Sequence, residues 1–197
     1  MKKTTEEEEE LFLVPKSEEA DSKLHGYLTV LGGVCIHLFC GNLYLWGNIS
    51  TYVVTYFHYQ GDDAATLRDA SMVLTLSFTS QCIFTPIGPY LQKRMNPKVL
   101  VSIGGIIMCL SILFASYTTS WWWFIFWYAL GFPMGIGIVY WPPIMCGWEW
   151  FPEHKGLVSG LIVAGYGFGA FFFGFLSTAI ANPENYAPAK PDDGSGD

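Results

Sequence analysis

His37, Gly41, Tyr44 and Asn48 recur at i, i+4, i+7 and i+11 within residues 27–59, a stretch that contains no Asp, Glu, Lys or Arg. On a helix of 3.6 residues per turn this spacing makes a single stripe, and Trp46 falls about half a turn away on the opposite side. An imidazole, a phenol and a carboxamide on one face of an apolar helix can do one of two things. They satisfy neighbouring backbone, or they line a cavity that holds a polar solute inside a membrane. Either way the chemistry is hydrogen bonding and not the making of bonds. His25, His37, His58 and His154 are scattered, no metal-ligand spacing occurs, and no glycine-rich phosphate loop follows a strand. The sequence therefore does not describe an enzyme, and no cofactor, metal or nucleic acid is expected.

The elements that carry this stripe are set by composition. Hydrophobic residues make up 51% of the 197-residue chain and charged residues 14%, and residues 99–148 are as free of charge as residues 27–59. A bilayer-spanning helix needs about 20 apolar residues, and these runs exceed that. The expected architecture is an all-α membrane protein with five transmembrane helices over residues 27–49 (with a possible extension to Phe57), 70–91, 99–117, 121–146 and 157–181. Flanking them are an acidic, solvated tail over residues 1–26 and a Pro-, Gly- and acid-rich external loop over residues 182–197. Residues 1–26 are not a signal or transit peptide: Leu11–Val14 is too short for an apolar signal core, and presequences are basic. Cys35, Cys40, Cys82, Cys109 and Cys146 all fall inside expected spans and read as small apolar residues, not a disulfide framework.

Orientation follows from Lys and Arg. With a cytosolic N-terminus the inner segments carry Lys2, Lys3, Lys16, Lys23, Lys93, Arg94, Lys98 and Lys155, and the outer segments only Arg68 and Lys190. Asp62, Asp63 and Asp69 then lie in the first external loop, and residues 118–120 form a tight external turn. Trp121, Trp122 and Trp123 belong at the outer headgroup layer, where amphipathic rings collect, or else form an aromatic ligand site. Asn48-Ile49-Ser50 matches a glycosylation acceptor but sits near a helix end, so it reads as a chance match.

Lipid gives helices no hydrophobic reason to associate, so small residues that allow close backbone approach mark the contacts. Gly131 with Gly135, Gly156 with Gly160, and Gly165 with Gly169 are the expected packing faces. Pro86, Pro89, Pro133, Pro142 and Pro143 interrupt the second and fourth helices. The carbonyls they free must be met by protein or by water in a cavity.

Residues 150–169 read W-F-P-x-x-K-G-L-x-x-G-x-x-x-A-G-x-G-x-G, and residues 41–46 read G-x-x-Y-x-W. Both resemble the major facilitator superfamily, and within it the oxalate/formate antiporters and the monocarboxylate transporters. Gly88-Pro-Tyr-Leu-Gln92-Lys93-Arg94-Met-Asn-Pro-Lys98 is similar to the superfamily's cytoplasmic loop signature, with Gln92 where an Asp is usual and Asn96-Pro97 in the usual glycine region. The resemblance implies a substrate cavity lined by aromatics of helices one, four and five, which falls on Tyr44, Tyr140 and Tyr166, with His37 further along the first-helix face. On their own, Tyr140 and Tyr166 read as core aromatics.

The same resemblance implies two six-helix halves built from inverted repeats, of which this chain covers the first half as far as its fifth helix. No charged residue lies deep in any span, so the cations that compensate an organic anion are expected from a C-terminal half. The expected function is that of part of a secondary active transporter for a small mono- or dicarboxylate, working by alternating access in a lipid bilayer and completed by a C-terminal half or partner subunit. The alternative is a short, non-transporting membrane subunit or scaffold derived from such a half.

Overall fold

The computed structural model describes residues 16–62 and 64–184. Residues 1–15 with Lys2 and Lys3, Asp63, and residues 185–197 with Lys190 lie outside the described residues. The described chain is helical throughout, with five helices long and apolar enough to cross a membrane: Lys23–Tyr59, Arg68–Gln92, Pro97–Tyr117, Trp121–Trp150 and Pro152–Ala181, spans 1 to 5 below.

Span 1 is built from α1 (Lys16–Cys40), a 3-10 turn (Gly41–Leu45) and α2 (Trp46–Tyr59). It is longer at both ends than the apolar pattern suggested, because no residue in it breaks helical geometry: Cys40, Leu45 and Trp46 all keep right-handed helical angles across the junctions. Residues 16–26 of the acidic segment are already helical. At about 1.5 Å per residue, the 37-residue span is about 55 Å long, well beyond a hydrocarbon core of about 30 Å. Its ends must therefore stand in the headgroup layers or water.

Gly61, at φ +82°, turns the chain toward span 2, made of α3 (Leu67–Phe84) and α4 (Ile87–Gln92). Thr66 caps it: its hydroxyl accepts from the Asp69 N–H at 3.1 Å and donates to the Asp69 carboxylate at 2.6 Å. Asp69 thus belongs to the first helical turn and not to a free loop. At the other end Gly88–Gln92 are the last turn of span 2, and only residues 93–96 form the connection. Asn96-Pro97, which replaces the signature's glycine region, starts α5 (Pro97–Tyr117), which is span 3. The Asn96 side chain accepts from the Lys98 N–H at 2.9 Å, and Pro97 takes the first helical position, where its missing donor costs nothing.

Span 4 consists of α6 (Trp121–Ile125), a π turn (Phe126–Gly131) and α7 (Phe132–Trp150), and a short 3-10 turn at Pro152–His154 leads into α8 (Lys155–Ala181), the body of span 5. Span 4 is the centre of the bundle: 61% of its apolar window is buried, against 22–28% in the other four. Its glycines let neighbours approach on several sides. A Cβ on Gly135 would stand 2.7 Å from the Gly104 carbonyl oxygen of span 3, one on Gly131 2.6 Å from the Ser111 hydroxyl, and one on Gly137 2.8 Å from the Gln81 carbonyl of span 2. Pro142 removes the donor that the Ile138 carbonyl would have used. Gly88 of span 2 lies against that oxygen, where a Cβ would stand 2.5 Å away.

One end of the bundle is closed by an aromatic core of Trp46, Phe57, Trp121, Phe124 and Tyr128. Of the three consecutive tryptophans only Trp122 and Trp123 are exposed, while Trp121 is fully buried against Phe57 and Phe124. The Asp62 carboxylate accepts from the Trp121 backbone N–H at 2.8 Å and so holds the start of span 4 beside the end of span 1. A carboxylate at a helix N-terminus meets unpaired N–H groups and the positive end of the helix dipole.

Candidate functional site

Between spans 1, 2, 4 and 5 the structure brings His37, Tyr44, Tyr140 and Tyr166 together. Tyr166 is the hub: its ring lies 5.4 Å from Tyr44, edge to face at 89°, 6.0 Å from Tyr140 and 6.3 Å from His37. His37 and Tyr140 are 5.0 Å apart. These separations suit attraction between the positive edge of one ring and the negative face of the next.

The helix contacts explain why these side chains meet. Gly165 and Gly169 flank Tyr166 on the face of span 5 that touches span 1. A Cβ on Gly165 would come within 2.5 Å of the Val34 carbonyl oxygen, and one on Gly169 would run into the Leu38 carbonyl. Gly41 meets span 5 in return, where a Cβ would overlap the Tyr166 carbonyl oxygen. Three glycines thus bring the two backbones into contact at the level of the tyrosines. Beside Gly156 and Gly160 a Cβ would meet nothing within 4 Å, so these two do not form a contact face among the described residues. They lie on a different side of the helix from Gly165 and Gly169.

Exposure grades the cluster into layers. Tyr44 is 45% exposed, Tyr140 partly buried, Tyr166 7% exposed, and His37 fully buried. Nδ1 of His37 lies 3.1 Å from the Gly33 carbonyl oxygen. A carbonyl can only accept, so that nitrogen carries the hydrogen and Nε2 presents a lone pair. Nε2 is buried without a hydrogen-bond partner.

Gln81 joins the site from span 2, and the stripe argument missed it. Its Oε1 accepts from the Tyr166 hydroxyl at 3.2 Å, which leaves the amide N–H groups for another acceptor. A signal was present in the sequence, since Gln81 is the sole carboxamide between Ala70 and Leu91. Asn48, by contrast, is exposed away from the four rings, with its amide nitrogen beside Gly174. The 3-10 turn at Gly41–Leu45 winds at about three residues per turn, so the lower and upper parts of the stripe do not stay in line. Trp46 points to spans 2 and 4: its indole N–H donates to the Ala70 carbonyl at 2.8 Å, and its ring sits 5.1 Å from Tyr128.

At the Gln92 end of span 2 the Gln92 amide donates to the Cys146 sulfur of span 4 at 3.8 Å, and its Oε1 is buried without a partner. Lys93, Arg94 and Lys98 are exposed, and the Arg94 guanidinium lies 5.3 Å from the Tyr90 ring centre. Apolar grooves of about 670 Å³, between spans 1, 3 and 4, and about 480 Å³, between spans 2, 3 and 4, open elsewhere. Neither is lined by Tyr44, Tyr140 or Tyr166, and their apolar walls offer little to orient an anion.

Five apolar spans packed through small residues around a buried aromatic and polar cluster define an integral, multi-pass membrane protein. The sequence profile of the Major Facilitator Superfamily matches residues 30–185, and the chain belongs to that superfamily of transporters. It is 32% identical to the apicoplast pyruvate carrier 1 of Toxoplasma gondii, over 84% of this chain and 36% of the relative. It is 29% identical to the oxalate:formate antiporter of Oxalobacter formigenes, over 63% and 29%. Monocarboxylate transporter 13 of Rattus norvegicus is 25% identical over 78% and 36%. The chain thus spans about a third of the length of these curated relatives.

Proposed function

We propose that the protein to which this chain belongs is a secondary active transporter that moves a small mono- or dicarboxylate by alternating access, with Tyr44, Tyr140, Tyr166 and His37 on the N-terminal wall of its substrate site. The observation that carries the reading is the convergence of these four side chains, from three spans, on one point in the interior of the bundle. Phenol hydroxyls and ring edges can orient a carboxylate without a permanent buried charge. The Gln81 amide N–H groups add donors at the same point. Relatives named for pyruvate, oxalate and formate, and monocarboxylate transport agree with this substrate class. A second half, from the same protein or a partner, closes the other wall, since alternating access needs two units that rock about a central site. The N-terminus faces the cytosol, with Lys93, Arg94, Lys98 and Lys155 on the inner side.

The test is uptake of labelled pyruvate and labelled oxalate by the complete protein in proteoliposomes. Removing a hydrogen-bonding group from a charged ligand costs about 1.5–3 kcal/mol, so Tyr140→Phe and Tyr166→Phe are expected to lower uptake at least tenfold at unchanged reconstitution. Tyr44→Ala acts in the same direction. Full uptake in all three variants would remove the proposed site.

A further inference from the structure

We infer that Gln81 is the specificity-determining residue of the carboxylate site: aimed by Tyr166, its amide reads an oxygen on the carbon next to the carboxylate, and so selects 2-oxo and 2-hydroxy acids over acids unsubstituted at that carbon. The inference rests on the transport reading above. It starts from a difference among the polar side chains of span 2. Over residues 77–85 the hydroxyls of Ser77, Thr79, Ser80 and Thr85 donate to the backbone carbonyls of Val73, Thr75, Leu130 and Gln81 in turn. Their hydrogens are spent on the helices themselves. Gln81 differs, because its side chain meets another side chain and accepts from the Tyr166 hydroxyl at 3.2 Å. Its backbone is pressed onto span 4, where a Cβ on Gly137 would stand 2.8 Å from the Gln81 carbonyl oxygen, so the amide is presented from a fixed base.

The bond between Tyr166 and Gln81 uses one donor and one acceptor and leaves at least one of each. With the phenol donating, the amide N–H groups and a phenol lone pair remain. With the amide turned over, the phenol O–H and the amide oxygen remain. Either way a donor stands beside an acceptor. The amide nitrogen has no hydrogen-bond partner among the described residues, yet it is not one of the sealed polar atoms. Gln81 is half-buried while Tyr166 is buried, so the amide is the accessible member of the pair. Residues 27–59, 70–91, 121–148 and 157–181 contain no Asp, Glu, Lys or Arg, which leaves the countercharge of the carboxylate to the second half. A neutral donor and acceptor suit the oxygen next to that carboxylate. A 2-oxo oxygen accepts from the donor, a 2-hydroxyl accepts and donates at once, and the second carboxylate of oxalate accepts. A methylene does neither. It would leave the pair unsatisfied in a closed site, and a site built to hydrogen-bond a substrate rejects the analogue that lacks the bonding group. Tyr166 is then a positioning residue that acts through Gln81.

The experiment is competition against labelled pyruvate uptake by the complete protein in proteoliposomes at neutral pH, with unlabelled pyruvate, lactate and propionate. The three share a three-carbon skeleton and are all anions there, and only propionate lacks the oxygen. In wild type, half-inhibition by propionate is expected to need at least about tenfold more than pyruvate or lactate. In Gln81→Met, pyruvate and lactate are expected to weaken about tenfold and propionate to change less than about twofold, so that the ratio closes. Equal inhibition by all three acids in wild type, or a ratio unchanged in Gln81→Met, overturns the inference and leaves the transport reading standing. No uptake of labelled pyruvate or oxalate by wild type removes both. If Gln81→Met does not fold, Tyr166→Phe decides, because it frees the amide to turn away: the ratio must narrow as in Gln81→Met, and a ratio kept at its wild-type width refutes the inference.

Discussion

Gly160→Ala and Gly165→Ala are the same chemical change on the same helix, and the structure assigns them different outcomes. A methyl on Gly160 enters open space, whereas one on Gly165 would lie 2.5 Å from the Val34 carbonyl oxygen and 3.2 Å from a Val34 side-chain methyl. A comfortable C···O approach is about 3.3–3.6 Å, so spans 1 and 5 must part by about 0.8–1.1 Å or bend. Extra methyl groups forced into packed interiors cost about 1–3 kcal/mol. Both variants gain the same helix propensity, about 1 kcal/mol in soluble helices, so their difference isolates the steric term. The populations of folded and unfolded protein should then differ between the two variants by about 5- to 150-fold, at about 1.4 kcal/mol per factor of ten. Gly169→Ala, where the methyl meets the Leu38 carbonyl more closely, belongs at the upper end, and Gly167→Ala should behave like Gly160→Ala. The assay is equilibrium unfolding of the purified chain in mixed micelles, followed by circular dichroism and tryptophan fluorescence. Coincident curves for Gly160→Ala and Gly165→Ala would refute the claim that Gly165 sets the distance between spans 1 and 5.

Trp46→Phe removes the indole N–H bond to the Ala70 carbonyl and part of the contact with Tyr128. It should lower the same unfolding free energy by about 1–2 kcal/mol, and unchanged stability would mean that spans 1 and 2 are held by other contacts. For orientation, a cysteine at Thr119 should react with a membrane-impermeant maleimide added outside intact cells, and one at Lys93 only after permeabilisation. The reverse pattern would invert the charge-based topology.

The spans were legible because their charges are so well segregated: residues 99–148 contain none, and the turn at residues 118–120 is marked by polarity alone. What escaped the sequence was where a helix continues through a local change of winding. Gly41–Leu45 tightens to a 3-10 turn and Phe126–Gly131 loosens to a π turn. Neither has an apolar signature of its own, although Pro133 hints at the second. His37 and Tyr44 stayed together because the winding changes only from Gly41 onward, and Asn48, beyond the turn, left the group. Tyr140 and Tyr166 needed the family pattern, since periodicity cannot tell a cavity aromatic from a core one. Gln81 escapes a periodicity reading because a lone amide makes no stripe. Repeats of small residues proved ambiguous for the same reason: Gly156 with Gly160 and Gly165 with Gly169 have identical spacing, and only the second pair faces a neighbour.

The π turn in span 4 has a geometric consequence for the whole N-terminal part of that helix. A π turn takes up about one residue more than an α turn, so residues before Phe126 are rotated by about 100° from where an unbroken helix through residues 132–150 would put them. That offset points Phe124 at Trp46, beside Tyr128 in the turn itself, while Gly135 still meets span 3. Ser80 marks the place by donating to the Leu130 carbonyl at 2.8 Å. Span 4 therefore carries two angular registers on one axis. A single-residue deletion within residues 126–131 would swing Trp121 out of its buried seat while hardly shortening the helix.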